Sequence, residues 1–117
     1  MTLYNVLKNC KNITDFLSAG SKSIFKDQAP ASAPLPLCVF TCTGKTPILH
    51  TDNKVLETIE SYNIYIVTND GADAGIEEVL FEALTNAGYL YQRTSRGMDY
   101  TVHVLTMGFN RYIYKGV

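Results

Sequence analysis

The sequence predicts an α+β domain in which an antiparallel four-stranded sheet carries two helices on one face, in the chain order α-β-β-α-β-β. Two segments, 1–18 and 73–87, repeat apolar residues at steps of three and four, the spacing of an amphipathic helix. Four further segments are rich in β-branched and aromatic residues, which favour strands. These strand segments are 37–43, 55–68, 89–94 and 98–109. A length of 117 residues suits one domain with one core, so residues 1–117 are assigned to a single domain.

The first helix, 1–18, has Thr2 as its N-cap and Gly20 just beyond its end. Residues 19–36 then become rich in Gly, Ser, Ala and Pro, which predicts an extended connector. Ile24 and Phe25 are apolar exceptions within it. They either anchor the connector on the core or contact a neighbouring subunit.

Residues 37–117 are expected to form the sheet-and-helix core. The first strand, 37–43, is apolar on both sides, so both of its faces are expected to be covered. Residues 45–53 are interpreted as a long loop between two strands. Exposed apolar residues in such a loop are either tucked in locally or pressed onto a partner.

The second strand, 55–68, is unusually long, and charged residues alternate only in its first half. This pattern indicates one end buried in its own domain and another that projects toward solvent or a neighbour. Asp73 is expected to cap the second helix, and Gly88 to stop it. The last two strands are expected to turn at residues 95–97.

Composition and motifs favour a non-enzymatic protein without cofactor or metal. Ten basic and eleven acidic residues argue against general nucleic-acid binding, which needs a clustered basic surface. Three cysteines cannot all pair, and His50 and His103 stand apart without ligand spacing. We find no nucleophile with a base and no phosphate-binding loop, because Gly44-Lys45-Thr46 lacks the required upstream glycine. Neither a membrane span nor a signal peptide is apparent, which predicts a cytoplasmic protein.

Association with other subunits is expected from three features of the sheet. Its second face is too apolar to be left in water, its long edge strands need covering, and the chain has eight tyrosines and no tryptophan. The alternative of a nucleic-acid-binding or regulatory module rests on arginines near tyrosines in the last hairpin. The candidate residues for contact with other subunits or with a partner are Ile48, Leu49, His50, Asp52, Arg111, Tyr112 and Tyr114.

Five segments, taken with the order of elements, are typical of one family. They are Ala33-Pro34-Leu35-Pro36-Leu37-Cys38-Val39-Phe40, Asp52-Asn53-Lys54-Val55, Ser61-Tyr62-Asn63-Ile64-Tyr65-Ile66-Val67-Thr68, Gly75-Ile76-Glu77-Glu78-Val79 and Met98-Asp99-Tyr100. In these segments and in the order of its elements, the chain resembles the tail-terminator, or tail-completion, proteins of long-tailed bacteriophages and prophages. The resemblance extends over nearly the whole chain.

The resemblance implies a homo-oligomeric ring, typically a hexamer, that stops polymerisation of the tail tube and docks the head connector. Its partners would then be the tail tube protein and the head-tail connector protein, with no membrane and no specific nucleic acid. Its location would be the head-proximal end of the virion tail, after assembly in the host bacterial cytoplasm. A head-completion or minor capsid protein is the alternative within the same class.

Overall fold

The structure, a computed structural model, describes residues 2–51 and 54–114. Its elements in chain order are α1 (Leu3–Asn9), α2 (Lys11–Phe16), a 3-10 helix (Gly20–Ser23), β1 (Ile24–Lys26), β2 (Leu37–Thr51), β3 (Lys54–Thr68), α3 (Ala74–Asn86), β4 (Leu90–Asp99) and β5 (Val102–Tyr114). The strands form one sheet in the order β1-β2-β3-β5-β4. Among the strands of the described residues, only β1 and β2 pair in parallel. The predicted antiparallel four-stranded sheet with two helices is therefore wrong, because the described residues form a five-stranded mixed sheet and three α-helices.

The fifth strand comes from the segment predicted as a connector. Residues 24–26 pair in parallel with residues 38–40, and Ile24 is buried opposite Cys38. Of the two alternatives for Ile24, anchoring in the core of its own subunit is therefore correct. A three-residue strand carries too little periodicity to be recognised, and its pairing depends on the edge of β2 that tertiary structure supplies.

The predicted first helix is divided at Cys10, whose extended backbone ends α1 and precedes α2. The Thr2 cap is present, since its hydroxyl accepts a hydrogen bond from the Asn5 backbone N–H at 3.2 Å. Asn9 and Asn12 flank the break, and asparagine is a weak helix former because its amide competes for backbone hydrogen bonds. Both short helices still face the core, where Leu7 and Ile13 are fully buried.

Residues 45–51 continue β2, so their assignment to a loop is wrong. Ile48, Leu49 and His50 lie on a strand, and Asp52 lies outside the described residues. Gly44 and Pro47 sit beside register shifts in the pairing with β3. Because β1 pairs only with residues 38–40, this part of β2 is a sheet edge, where a proline is tolerated.

The turn between the last strands is also displaced. Strand β4 continues through residues 95–97 to Asp99, and the chain reverses at Tyr100 and Thr101. Tyr100 has a φ of +56° and is almost fully exposed. A left-handed tyrosine is uncommon, so the glycine-containing tripeptide was the stronger turn signal in the sequence.

The predicted helix at 73–87 is confirmed as α3, and Gly88 follows it with a φ of +93°. The core lies between the helices and one face of the sheet. Its fully buried side chains include Leu7, Ile13, Leu80, Leu84, Ile64, Ile66 and Leu105. Along β2, β3 and β5, buried core residues extend no further toward the end of β2 and the start of β3 than Phe40, Ile64 and Phe109. The sheet continues well past this limit, and the molecule measures 52 × 28 × 23 Å.

Candidate functional site

The part of the sheet beyond the core forms a projecting end, which consists of residues 45–51, 54–59 and 112–114. Tyr112 pairs with Ile59, and Ile59 pairs on its other side with Thr46. Strands β2 and β5 therefore flank β3 at a separation of roughly 9.5 Å, which is two strand spacings. The register thus brings candidate residues from two distant parts of the sequence to one end of the sheet.

Three of the candidate residues expose large apolar surfaces on the projecting end. Ile48 is 42% exposed, Tyr112 is 48% exposed and Tyr114 is 64% exposed. The side chains of Leu49 and His50 lie outside the part that the structure describes, as does the whole of Asp52. Arg111 does not belong with this group, because it pairs with Glu60 and faces the helix-covered side of the sheet.

The sheet side opposite the helices forms an open face, defined by Phe25, Val39, Tyr65, Val67 and Val104. These residues are half-buried, and none belongs to the core cluster. The cross-strand pairs Phe25–Val39, Val39–Tyr65 and Val67–Val104 place them side by side. The expectation that both faces of the first strand are covered is not met within the part of the subunit that the structure describes.

A buried carboxylate lies at the border between the core and the projecting end. Glu60 is 8% exposed and accepts a 2.6 Å hydrogen bond from the Tyr62 hydroxyl. Lys45 Nζ lies 3.5 Å from one Glu60 oxygen, and Arg111 Nη2 lies 3.8 Å from the other. Burial and this hydrogen bond to Glu60 raise the pKa of Tyr62. Arg111 also donates a 3.0 Å hydrogen bond to the Tyr89 hydroxyl.

This cluster lines a cavity of about 420 Å³, which we call the basic cavity. Its walls combine cations and one carboxylate with apolar and aromatic side chains. They include Lys26, Lys45, Arg111, Glu60, Leu3, Tyr4, Phe40 and Tyr62. Sequence reasoning missed this cavity, although one signal was present. Glu60 lies on the same face of β3 as the buried residues Ile64 and Ile66. A carboxylate on a buried strand face needs cationic or hydrogen-bonding partners nearby.

The other arginines of the last hairpin are engaged within their own subunit. Arg96 Nε lies 3.2 Å from Asp73 Oδ1, and its Nη2 donates to Glu77. These hydrogen bonds, with Glu77 contributing most, raise the pKa of Arg96. Asp73 occupies the N-cap position of α3 as predicted, but its side chain makes no capping hydrogen bond and bonds Arg96 instead. Arg93 donates to the Asn63 amide oxygen at 3.2 Å, and internal partners of this kind weaken the case for a phosphate-binding surface.

Within residues 2–51 and 54–114, no three His, Cys, Asp or Glu side chains gather into a group that could hold a metal ion. Of the three free thiols, Cys38 is buried and Cys42 is exposed. No helix in the described ranges is long and apolar enough to cross a membrane. The chain matches no protein-family model, and no curated protein shows significant similarity to it.

Proposed function

We propose that this protein is a structural subunit of a phage virion that assembles into a ring, terminates the tail tube and joins it to the head connector. The observation that carries the proposal is the projecting end. There the sheet extends past its own core and exposes Ile48, Tyr112 and Tyr114. This geometry supports a role in which the protein's surface, and no reaction centre, performs the function.

The exposed residues suit an interface. Tyrosine is enriched at protein–protein contacts because its ring gives a large apolar area while its hydroxyl stays solvated. Here Tyr112 and Tyr114 are held on a paired strand, so little conformational freedom is lost when a partner covers them. The half-buried open face offers a second area for contact. A ring with a tail on one side and a connector on the other needs several such surfaces on each subunit.

The titratable groups also support a structural role. Nucleophilic catalysis needs a side chain whose pKa is lowered or that lies beside a base. Burial instead raises the pKa of Cys38 to about 12, and the pKa of Tyr62 is raised as well. Both groups would be protonated at neutral pH even at their ordinary pKa values of 9.0 and 10.0, and the upward shifts make neither of them an activated nucleophile.

Electron microscopy of a lysate tests the proposal, using a phage that carries an early stop codon in the gene for this chain. The proposal predicts filled heads separate from unjoined tails, some of them longer than normal. Emptied heads beside tails of normal length would replace it with a head-completion role. Normal infectious particles would refute a structural role altogether.

A further inference from the structure

The outer surface of α3 carries an exposed aromatic ring beside two carboxylates, Phe81 with Glu78 and Glu82, which we call the acidic knob. Glu78 lies three residues before Phe81 and four before Glu82, so it is a neighbour of both on the surface of α3. Phe81 is 43% exposed and meets the 40% exposed Tyr91 edge to face, with ring centroids 5.4 Å apart.

The two carboxylates of the knob have no cationic partner in the part of the subunit that the structure describes. Among the described residues, neither Glu78 nor Glu82 forms an ion pair, because Arg96 is directed to Asp73 and Glu77. Contact with water does not stabilise an exposed phenyl ring, and the carboxylates beside it are unpaired. A patch of this composition is suited to docking into a basic and partly apolar pocket.

The basic cavity has the complementary composition. Lys26, Lys45 and Arg111 line it together with the single carboxylate of Glu60, so the lining holds two more cationic than anionic side chains. Lys26 is exposed and makes no ion pair with any described residue. The aromatic and apolar part of the wall, with Tyr4 and Phe40, can receive a ring, and 420 Å³ is room enough for one.

The knob and the cavity are two separate surfaces of one subunit. The knob stands beside β4, whereas the cavity is lined by the start of α1, by β1 and β2, and by Glu60 and Tyr62 of β3 and Arg111 of β5. None of the three knob residues lines the cavity of its own subunit. The exposed cation of the cavity, Lys26 on β1, is four strand spacings or about 19 Å from β4 in a sheet ordered β1-β2-β3-β5-β4. Two different patches on one subunit produce a heterologous, head-to-tail contact, which closes into a ring where the rotation between subunits allows it.

We propose that the acidic knob of one subunit docks into the basic cavity of a second copy of this chain, with Phe81 in the cavity and the knob carboxylates beside Lys26 and Lys45. This proposal rests on the ring-forming role above and identifies the contact that closes the ring. Salt weakens the contact, because its charged groups are partly exposed.

Charge reversal tests the docking, with self-association measured by sedimentation equilibrium over a range of concentrations. Lys26→Glu alters the cavity, and Glu82→Lys alters the knob. We expect each variant to raise the dissociation constant at least about tenfold, as close interfacial charge pairs do elsewhere. The double variant carries the reversed pair and should recover most of the affinity. An equimolar mixture of the two single variants should co-assemble for the same reason.

Lys22→Glu and Asp99→Lys make the same charge changes at exposed positions outside both patches, and they should associate like wild type. Circular dichroism of all the variants checks that each one folds. Equal association of the two test variants and the two controls would overturn the docking. So would a double variant that associates no better than the single ones.

Other occupants of the cavity give different results. A wild-type chain that stays monomeric, but whose Tyr62 and Arg111 amide resonances shift with phenylacetate, would make the cavity a small-molecule site and overturn the docking. A wild-type ring that both test variants leave intact overturns only the docking, and the proposed function stands. If neither test variant assembles into a ring, but the stop-codon phage still gives normal particles, the docking stands and only the proposed function is overturned.

Discussion

Replacing Ile48 with aspartate should leave the subunit folded and abolish its assembly. Ile48 is 42% exposed in the isolated subunit. Its substitution therefore removes only part of the roughly 1.5–3 kcal/mol that burial of an isoleucine side chain contributes to folding. We expect a loss of about 1 kcal/mol in the free energy of unfolding, including the lower strand preference of aspartate. In an assembled ring the same change places a charge in a desolvated apolar contact, which an interface does not tolerate.

A matched control is Ile64→Ala, because Ile64 is the same residue type in the same sheet but is fully buried. Removing its side chain leaves a cavity in the core, so we expect a loss of about 3 kcal/mol. Urea unfolding of the two variants gives both free energies, and particle counts after expression of each variant in the stop-codon phage give assembly. An Ile48→Asp loss as large as that of Ile64→Ala would place Ile48 in the core. Normal particle counts with Ile48→Asp would show that the projecting end makes no essential contact.

Three other features of the subunit lead to measurable expectations. A disulfide-exchange reagent should modify Cys42 rapidly and Cys38 only on unfolding, because Cys38 is buried as a neutral thiol. The pKa of Cys38 is about 12 in the folded chain against an ordinary value of 9.0, so the unfolded chain binds fewer protons between these values. The free energy of unfolding should fall as pH rises from 9 toward 12, and less so in Cys38→Ala. Arg96→Met removes the bridge to Glu77, so hydrogen exchange at β4 amides should accelerate while β3 amides keep their protection. Gly88→Ala should cost about 1–2 kcal/mol in thermal unfolding, since its φ is +93°.

The parts of the fold that local pattern determines were predicted from the sequence. Helix α3 has a continuous apolar stripe, and Gly88 ends it with a positive φ that only glycine adopts without strain. The strand predicted at 55–68 is observed as β3, Lys54–Thr68. In each case the information lies within one turn or one strand.

The errors arose where tertiary contacts override local preference. Glycine and proline at positions 44 and 47 signal a loop, yet an unpaired sheet edge accommodates both at register shifts. Residues 95–97 signal a turn, but they pair with residues 104–106 of β5 and so continue the strand. Strand β1 exists only because the edge of β2 is available for pairing.

The candidate contact residues were predicted only in part. Exposed Ile48, Tyr112 and Tyr114 were identified from apolar and tyrosine-rich segments, and the register brings these segments to the same end of the sheet. The basic cavity was not predicted, because Lys26, Lys45 and Arg111 come from three separate strands. Their proximity depends on the strand order, and no spacing in the sequence encodes that order.

Localising the protein on virions tests the proposed function most directly. A short C-terminal tag on the chain, detected by gold-labelled antibody in electron micrographs, marks its position in particles from a complemented stop-codon phage. The proposed function predicts label at one end of the tail only, where the tail meets the head. Label spread over the capsid shell or along the tail, with none at the junction, would contradict it.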